Sequence, residues 1–376
     1  MSATVCLLAR TLNAPTAGGH SWVYLNWALG MQAMGCRVVW LEVVPPATSA
    51  GALAERVQAL KCRLAPFGLD TDVALWSASS DASTSDVTAT CLDLDAAAEA
   101  DLFLDMAYAP AEVVARFRRS ALLDIDPGLF QLWVSRGQIE LPRHDCYFSI
   151  GETVGTPRAL FPDCGVTWRH TPPCIALEWW PMCPAPHDAP FTTVSNWIMY
   201  DYWVDDGDGG YPNDKRTGFL PFLDVPQLTD VPLELALSFG GAVDEQRELE
   251  RRGWRVREAH EIVASPPDYQ RYVQRSRGEF SCAKPSCVRL QNAWVSDRTL
   301  CYLASGKPAV VQHTGESHFL PDAAGLFRFS TPAEAVRHLE TAANDYERQC
   351  TLARQLAEEF FDAGQIASRL LEEALS

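Results

Sequence analysis

The chain has 376 residues and a formal net charge of −17, past the length at which a single hydrophobic core stops growing, so two domains are expected. With 47% hydrophobic and 21% charged residues, wholesale disorder is excluded. The acidic balance, with no basic cluster longer than Arg116-Phe117-Arg118-Arg119, argues against a nucleic-acid partner, although a few local donors can still hold an anionic small ligand.

The N-terminal half alternates strand and helix. Val5–Ala9 reads as a buried strand, followed by a loop ending at Ala17-Gly18-Gly19-His20. From Ser21 to Met34 apolar residues recur at helical spacing, and Gly35 closes the helix. Val38–Leu41 is the next strand, with Glu42 at its end, and Gly51–Leu64 the next helix. Ala100–Met106 and Ala121–Ile125 read as strands around a helix from Pro110 to Arg119. This alternation predicts a parallel sheet with helices on both faces. Six prolines between Thr171 and Pro190 then interrupt regular structure and predict a linker. Beyond it, Thr192–Ser195, Leu233–Phe239 and Ala309–Gln312 read as strands, and Asp205–Asp214 as a polar, glycine-rich loop. A long helical segment from Thr331 to Leu375, broken near Asp362-Ala363-Gly364, closes the chain.

No stretch approaches the roughly 20 apolar residues that cross a bilayer. Met1–Ala9 carries no basic leader, and the twelve cysteines are scattered without any Cys-x-x-Cys. Together these features predict a cytoplasmic protein with free thiols and no integral membrane segment.

The most informative stretch is Glu279-Phe280-Ser281, then Trp294-Val295-Ser296-Asp297-Arg298, then Tyr302-Leu303-Ala304-Ser305-Gly306-Lys307-Pro308 and a valine-rich strand. Ser296 or Asp297 is a good N-cap for a helix over Thr299–Ser305 that ends at Gly306. The start of such a helix offers unpaired N–H groups and partial positive charge, which suits a diphosphate, and Arg298 adds a bidentate donor. In the N-terminal half, Gly18-Gly19 allow close approach of a substrate, and His20 has the chemistry of a general base. Gly-x-Gly-x-x-Gly is absent, against a classical dinucleotide site.

The helix, Leu-Ala-Ser-Gly-Lys-Pro (Leu303–Pro308), the valine-rich strand and the loop Thr314-Gly315-Glu316 resemble the donor-site segment of GT-B glycosyltransferases. Gly-Gly-His after the first strand is similar to their N-terminal acceptor loop. The resemblance covers the layout of the whole chain but only about 60 residues of motif. It implies an α/β fold of two Rossmann-like domains facing across a cleft, with C-terminal helices packing back on the N-terminal domain. The implied units are residues 1–175 on the acceptor side, a linker over 176–190, a donor domain over 191–350, and a C-terminal helix over 351–376. The implied reaction moves a sugar from a nucleotide-diphosphate donor to the hydroxyl of a small-molecule or glycan acceptor, with no cofactor and no metal. One departure stands out: Cys301 occupies the position, five residues before Gly306, where many members hold the ribose with a glutamate. It leaves the stereochemical outcome open, and with it whether the chain is catalytically active.

On this reading Arg298, Ser296, Asp297, Lys215, Arg216, Lys284, Thr314 and Gly315 hold the donor phosphates, with Arg289 a further candidate. His20 and Asp126 are the candidate proton acceptors. Gly18, Gly19, Asp124, Asn196 and Trp197 line the acceptor side of the cleft. Three rival readings remain. Asp124-Ile125-Asp126 resembles the metal-binding motif of the other glycosyltransferase fold, whereas Asp206-Gly207-Asp208 reads as a plain turn. A nucleotide-sugar epimerase of the same architecture would release sugar without an acceptor. A non-catalytic binding protein would keep the fold and lose nucleotide affinity.

Overall fold

The computed structural model describes residues 3–46, 48–77, 90–198, 203–205, 209–321 and 324–376. In the first half, β1 (Thr4–Ala9), α1 (Gly18–Ala33), β2 (Arg37–Val44), α2 (Ala50–Leu64) and β3 (Val73–Ser77) follow one another. Then come α3 (Leu94–Ala98), β4 (Leu102–Asp105), α4 (Ala111–Val114), β5 (Ser120–Asp124), α5 (Leu129–Ser135), β6 (Cys146–Ser149) and β7 (Trp168–His170). The seven strands form one parallel sheet in the order β3-β2-β1-β4-β5-β6-β7. β1 is buried from Val5 to Ala9, as the centre of a parallel sheet covered on both faces must be.

The second half opens with β8 (Phe191–Asn196), the two-residue strands β9 (Trp203–Val204) and β10 (Tyr211–Pro212), and α6 (Lys215–Phe219). β11 (Leu233–Ser238), α7 (Val243–Arg251), β12 (Arg255–Glu258), α8 (Ala259–Ile262), α9 (Pro266–Arg275) and β13 (Gly278–Ser281) come next. It ends with α10 (Pro285–Leu290), α11 (Asp297–Ala304), β14 (Ala309–Gln312), β15 (Leu326–Phe329), α12 (Pro332–Asn344), α13 (Tyr346–Phe360) and α14 (Ala363–Leu375). Six of these strands make a second parallel sheet, β12-β11-β8-β13-β14-β15. Both sheets therefore reverse strand order beside their first strand, between β1 and β4 and between β8 and β13. Ligands of open α/β sheets bind at such switch points, beyond the carboxyl ends of the strands.

The parallel sheets expected from the alternation are present, as are the two Rossmann-like domains that the resemblance implies, and the last helix returns to the first domain. α14 packs along α1, where Gly30 leaves no room for a side chain: a Cβ there would stand 2.8 Å from that of Ala363. Arg119 Nε donates to the Ala374 carbonyl at 2.6 Å. Several elements differ from expectation. The helix anticipated from Pro110 to Arg119 is one turn, because Arg116–Arg119 lead directly into β5. Glu42 lies inside β2 rather than at its end, buried and hydrogen-bonded by Thr11 and Trp40. The closing helical segment breaks at Asp345 as well as at Phe361–Asp362, giving three helices. Asp206-Gly207-Asp208 lies outside the described residues.

Candidate functional site

A cleft of about 770 Å³ lies between the carboxyl edges of the two sheets. On its C-terminal wall the central feature is α11. Ser296 caps that helix, its Oγ accepting from the Arg298 N–H at 3.3 Å, and Gly306 ends it at a φ of +67°, which favours glycine. The Arg298 side chain turns back beneath the helix. Its Nε donates to Glu279 Oε1 at 2.7 Å, Nη2 to Ser281 Oγ at 2.6 Å and Nη1 to the Val194 carbonyl at 3.4 Å. Val194 is on β8, while Glu279 and Ser281 are on β13, so the guanidinium straddles the switch point. Burial works against its charge, but Glu279, Tyr269 and Tyr302 together outweigh burial and hold the group above its ordinary value. Of five N–H bonds three are committed, which leaves two to serve a ligand.

Lys215 reaches the same place from α6. Asp214 caps that helix through the Thr217 N–H at 2.8 Å. Gly218 then allows a close approach: a Cβ there would sit 2.0 Å from the Ala283 carbonyl oxygen. Beside that contact the Lys215 Nζ donates to the carbonyl of Cys282, the residue after β13. Burial, and after it the charge of Arg298, pushes the ammonium down to about 7. Lys284, Ser296, Asp297 and Asn196 complete this part of the wall. Burial raises Asp297 above the usual carboxylate range.

The N-terminal wall is formed by the loop after β1, the start of α1 and the end of β5. His20 Nε2 lies 2.9 Å from the Arg10 carbonyl, which can only accept, so Nε2 carries the hydrogen and Nδ1 of the neutral ring is an acceptor. Asp126 also faces the cleft. Gly18 and Gly19 line it too, but the close approach they allow is to the other domain. Gly18 N donates to the Val263 carbonyl at 3.1 Å. A Cβ on Gly18 would lie 2.2 Å from the Ser265 carbonyl oxygen, and one on Gly19 2.6 Å from the Tyr269 ring.

Other candidates stand elsewhere. Arg216 pairs with Glu245 at 2.8 Å and does not line the cleft. Trp197 is buried in the second core against Phe219 and Phe239, its Nε1 bonded to Glu245, because β8 ends before it and the chain turns inward. Asp124 is wholly buried rather than cleft-facing. It accepts from Gln131 Nε2 at 2.9 Å, Ser149 Oγ at 2.8 Å, the Asp126 N–H at 2.9 Å and Tyr108 Oη at 3.2 Å. Burial pushes it up to about 6. Among the described residues no group of three His, Cys, Asp or Glu is placed to hold a metal ion. Thr314 bonds the Trp294 carbonyl at 2.7 Å in a small recess behind α11. Gly315 packs on the backbone of Gln291–Ala293, and Arg289 lies over the Tyr211 ring. Cys301 is buried, with Sγ donating to the Asp297 carbonyl, so it does not face the cleft. The sequence reading missed Arg10, Ser195, Ser238, His260 and Tyr269, which also line the cleft. Only Arg10 had a signal: a charge set directly against a buried strand.

Neither a family model nor a curated protein sequence matches the chain. Solved structures do. Anabaena Alr3699/HepE in complex with UDP and glucose is 13% identical over 99% of each chain, with a TM-score of 0.59. The sucrose-phosphate synthase (tll1590) from Thermosynechococcus elongatus is 12% identical over 99% of this chain and 98% of that one, with a TM-score of 0.52. An alpha-glucosyltransferase in complex with UDP is 10% identical over the whole of both chains, with a TM-score of 0.61. The likeness extends over the full length and identifies the architecture as the GT-B fold.

Proposed function

We propose that the protein is a glycosyltransferase that moves a sugar from a nucleotide-diphosphate donor to an acceptor hydroxyl. The observation that carries this reading is the meeting of Arg298, Lys215, Lys284 and the start of α11 at one switch point, on one wall of an interdomain cleft. UDP or UDP-glucose is bound in several solved structures of this fold, which supports a nucleotide donor. In the reaction the bond from the anomeric carbon to the β-phosphate oxygen breaks, and the electron pair leaves with the nucleoside diphosphate. A new bond forms to the acceptor oxygen, whose proton must be taken up. Arg298 and Lys215 offset the charge growing on the diphosphate, the part that a divalent metal plays elsewhere, so the proposed reaction requires no metal. His20, with Nδ1 open, and Asp126 are the groups on the opposite wall able to receive the proton.

Thermal melting with UDP, GDP, TDP and CMP, with and without EDTA, tests the donor site. A ligand at a hundred times its Kd stabilises the native state by about 2.7 kcal/mol. One nucleoside diphosphate should raise the Tm in EDTA. Removing Arg298 alone would strand the buried Glu279 carboxylate, so the informative variant is Arg298→Gln with Glu279→Gln, which leaves net charge unchanged. Loss of the nucleotide shift in a variant of native circular dichroism supports the reading. A full shift in that variant, or none in the parent chain, overturns it.

A further inference from the structure

The cleft inverts the charge balance of the chain. Overall, 48 Asp and Glu outnumber 31 Lys and Arg, yet the cleft is lined by four cations (Arg10, Lys215, Lys284, Arg298) and two carboxylates (Asp126, Asp297). Three of the cations stand on the C-terminal wall and are accounted for by a diphosphate. The fourth, Arg10, stands across the cleft, immediately after β1 and therefore at the switch point of the first sheet.

Arg10 is exposed, and among the described residues its side chain has no hydrogen bond or ion pair. Asp105, the buried carboxylate that feels its charge, is already occupied by the N–H groups of Ala107 and Ala109. The loop carrying Arg10 is fastened from beneath. Buried Glu42 accepts from Thr11 N at 2.9 Å and from Thr11 Oγ1 at 2.5 Å, and Arg63 donates to the Thr11 carbonyl at 3.1 Å. Arg56 donates to Asn13 Oδ1 at 2.6 Å, which leaves the Asn13 amide hydrogens to donate at the same wall. A fixed backbone thus presents an uncommitted guanidinium and a carboxamide donor to the cleft. A planar fork of this kind matches a phosphate or a carboxylate.

We propose that Arg10 and Asn13 form a second anion site, separate from the diphosphate site, and that the acceptor carries a phosphate or carboxylate group bound there. The word acceptor rests on the glycosyltransferase reading; the anion site does not.

The test is calorimetric titration of the full chain with glucose 6-phosphate, glucuronate and glucose, each alone and with UDP saturating. At least one anionic sugar should bind, glucose should not bind measurably, and UDP should not displace the anion. Arg10→Gln should weaken the anionic sugar about tenfold or more while leaving UDP affinity unchanged, and Arg10→Lys should restore part of the loss. Because the exposed Arg10 side chain makes no hydrogen bond or ion pair with a described residue, these variants should melt with the parent chain. Binding of glucose 6-phosphate with no binding of UDP would sink the donor reading and keep the anion site. Displacement of the anion by UDP, equal affinity in Arg10→Gln, or no binding of either anionic sugar would overturn the proposal.

Discussion

Lys215 gives a prediction with two readouts of opposite sign. Its ammonium is buried and held at about 7 against an ordinary 10.5. Between those values the unfolded chain binds more protons than the native one, so this group makes stability rise with pH from about 7 to 10.5. Below 7 its cost is complete, and at pH 7 it is roughly 4 kcal/mol. Lys215→Met removes that cost but leaves the Cys282 carbonyl without its donor, at about 1–3 kcal/mol. The variant should therefore be more stable at pH 7 by roughly 1–3 kcal/mol, while losing about 10- to 100-fold in affinity for UDP. Thermal melting gives the first number, and calorimetry at pH 7, 8 and 9 the second. The parent chain should bind UDP more weakly at each step, by up to about tenfold per pH unit, because binding must first return the proton to Lys215. Lys215→Met should bind weakly and without that slope. A less stable variant that keeps its UDP affinity would refute the assignment of Lys215 as a buried cation held for a diphosphate.

Asp124→Ala should lower stability by roughly 3 kcal/mol, since three side-chain donors and one backbone N–H lose their acceptor, yet leave UDP affinity unchanged. Burial holds the Asp124 carboxyl at about 6 against an ordinary 3.8, so its ionisation costs stability as pH rises from about 4 through 6. Melting curves across that window should slope less in the variant; a loss of UDP binding would instead place Asp124 in the site. Gly18→Ala drives a Cβ into the Ser265 and Val263 carbonyl oxygens, at an expected cost of about 1–3 kcal/mol. Small-angle scattering should show a larger radius of gyration; an unchanged radius and Tm would mean the two domains do not depend on this contact.

The sequence carried the layout because that layout rests on local signals. The run Val5–Ala9 is buried on both faces and looks it, and Ala309–Gln312 is buried over its first two residues. The Ser296 cap and Gly306 stop bound α11 within two residues of the expected helix. Short edge elements such as β7 and β12 were not legible, since half-exposed strands of three or four residues carry no periodicity. The direction in which a side chain leaves its helix was also hidden. Lys215 and Arg216 are adjacent, but only Lys215 turns into the cleft, because Gly218 sets the seat of α6 and Glu245 captures Arg216. Trp197 looked like a cleft residue beside Asn196; the turn after β8 sends it into the core. The role of Gly18-Gly19 was readable only as close approach, and the partner proved to be the other domain.

The two walls differ in how their charges are held, and that difference bears on mechanism. Arg298 is locked by three contacts to β8 and β13, and Lys215 is bonded to the residue after β13, so the C-terminal wall is organised before any ligand arrives, at a cost in stability set by burial. On the opposite wall His20 is held through one bond to a loop carbonyl and an edge contact with Tyr24, and among the described residues the Arg10 side chain has no hydrogen bond or ion pair. The fastened loop thus places the Arg10 carbonyl, which sets the His20 tautomer, beside a guanidinium left open to an anion. If Arg10 holds the acceptor's anionic group and His20 takes its proton, as proposed, an acceptor lacking that group should lose turnover as well as affinity, because its hydroxyl is no longer positioned against His20.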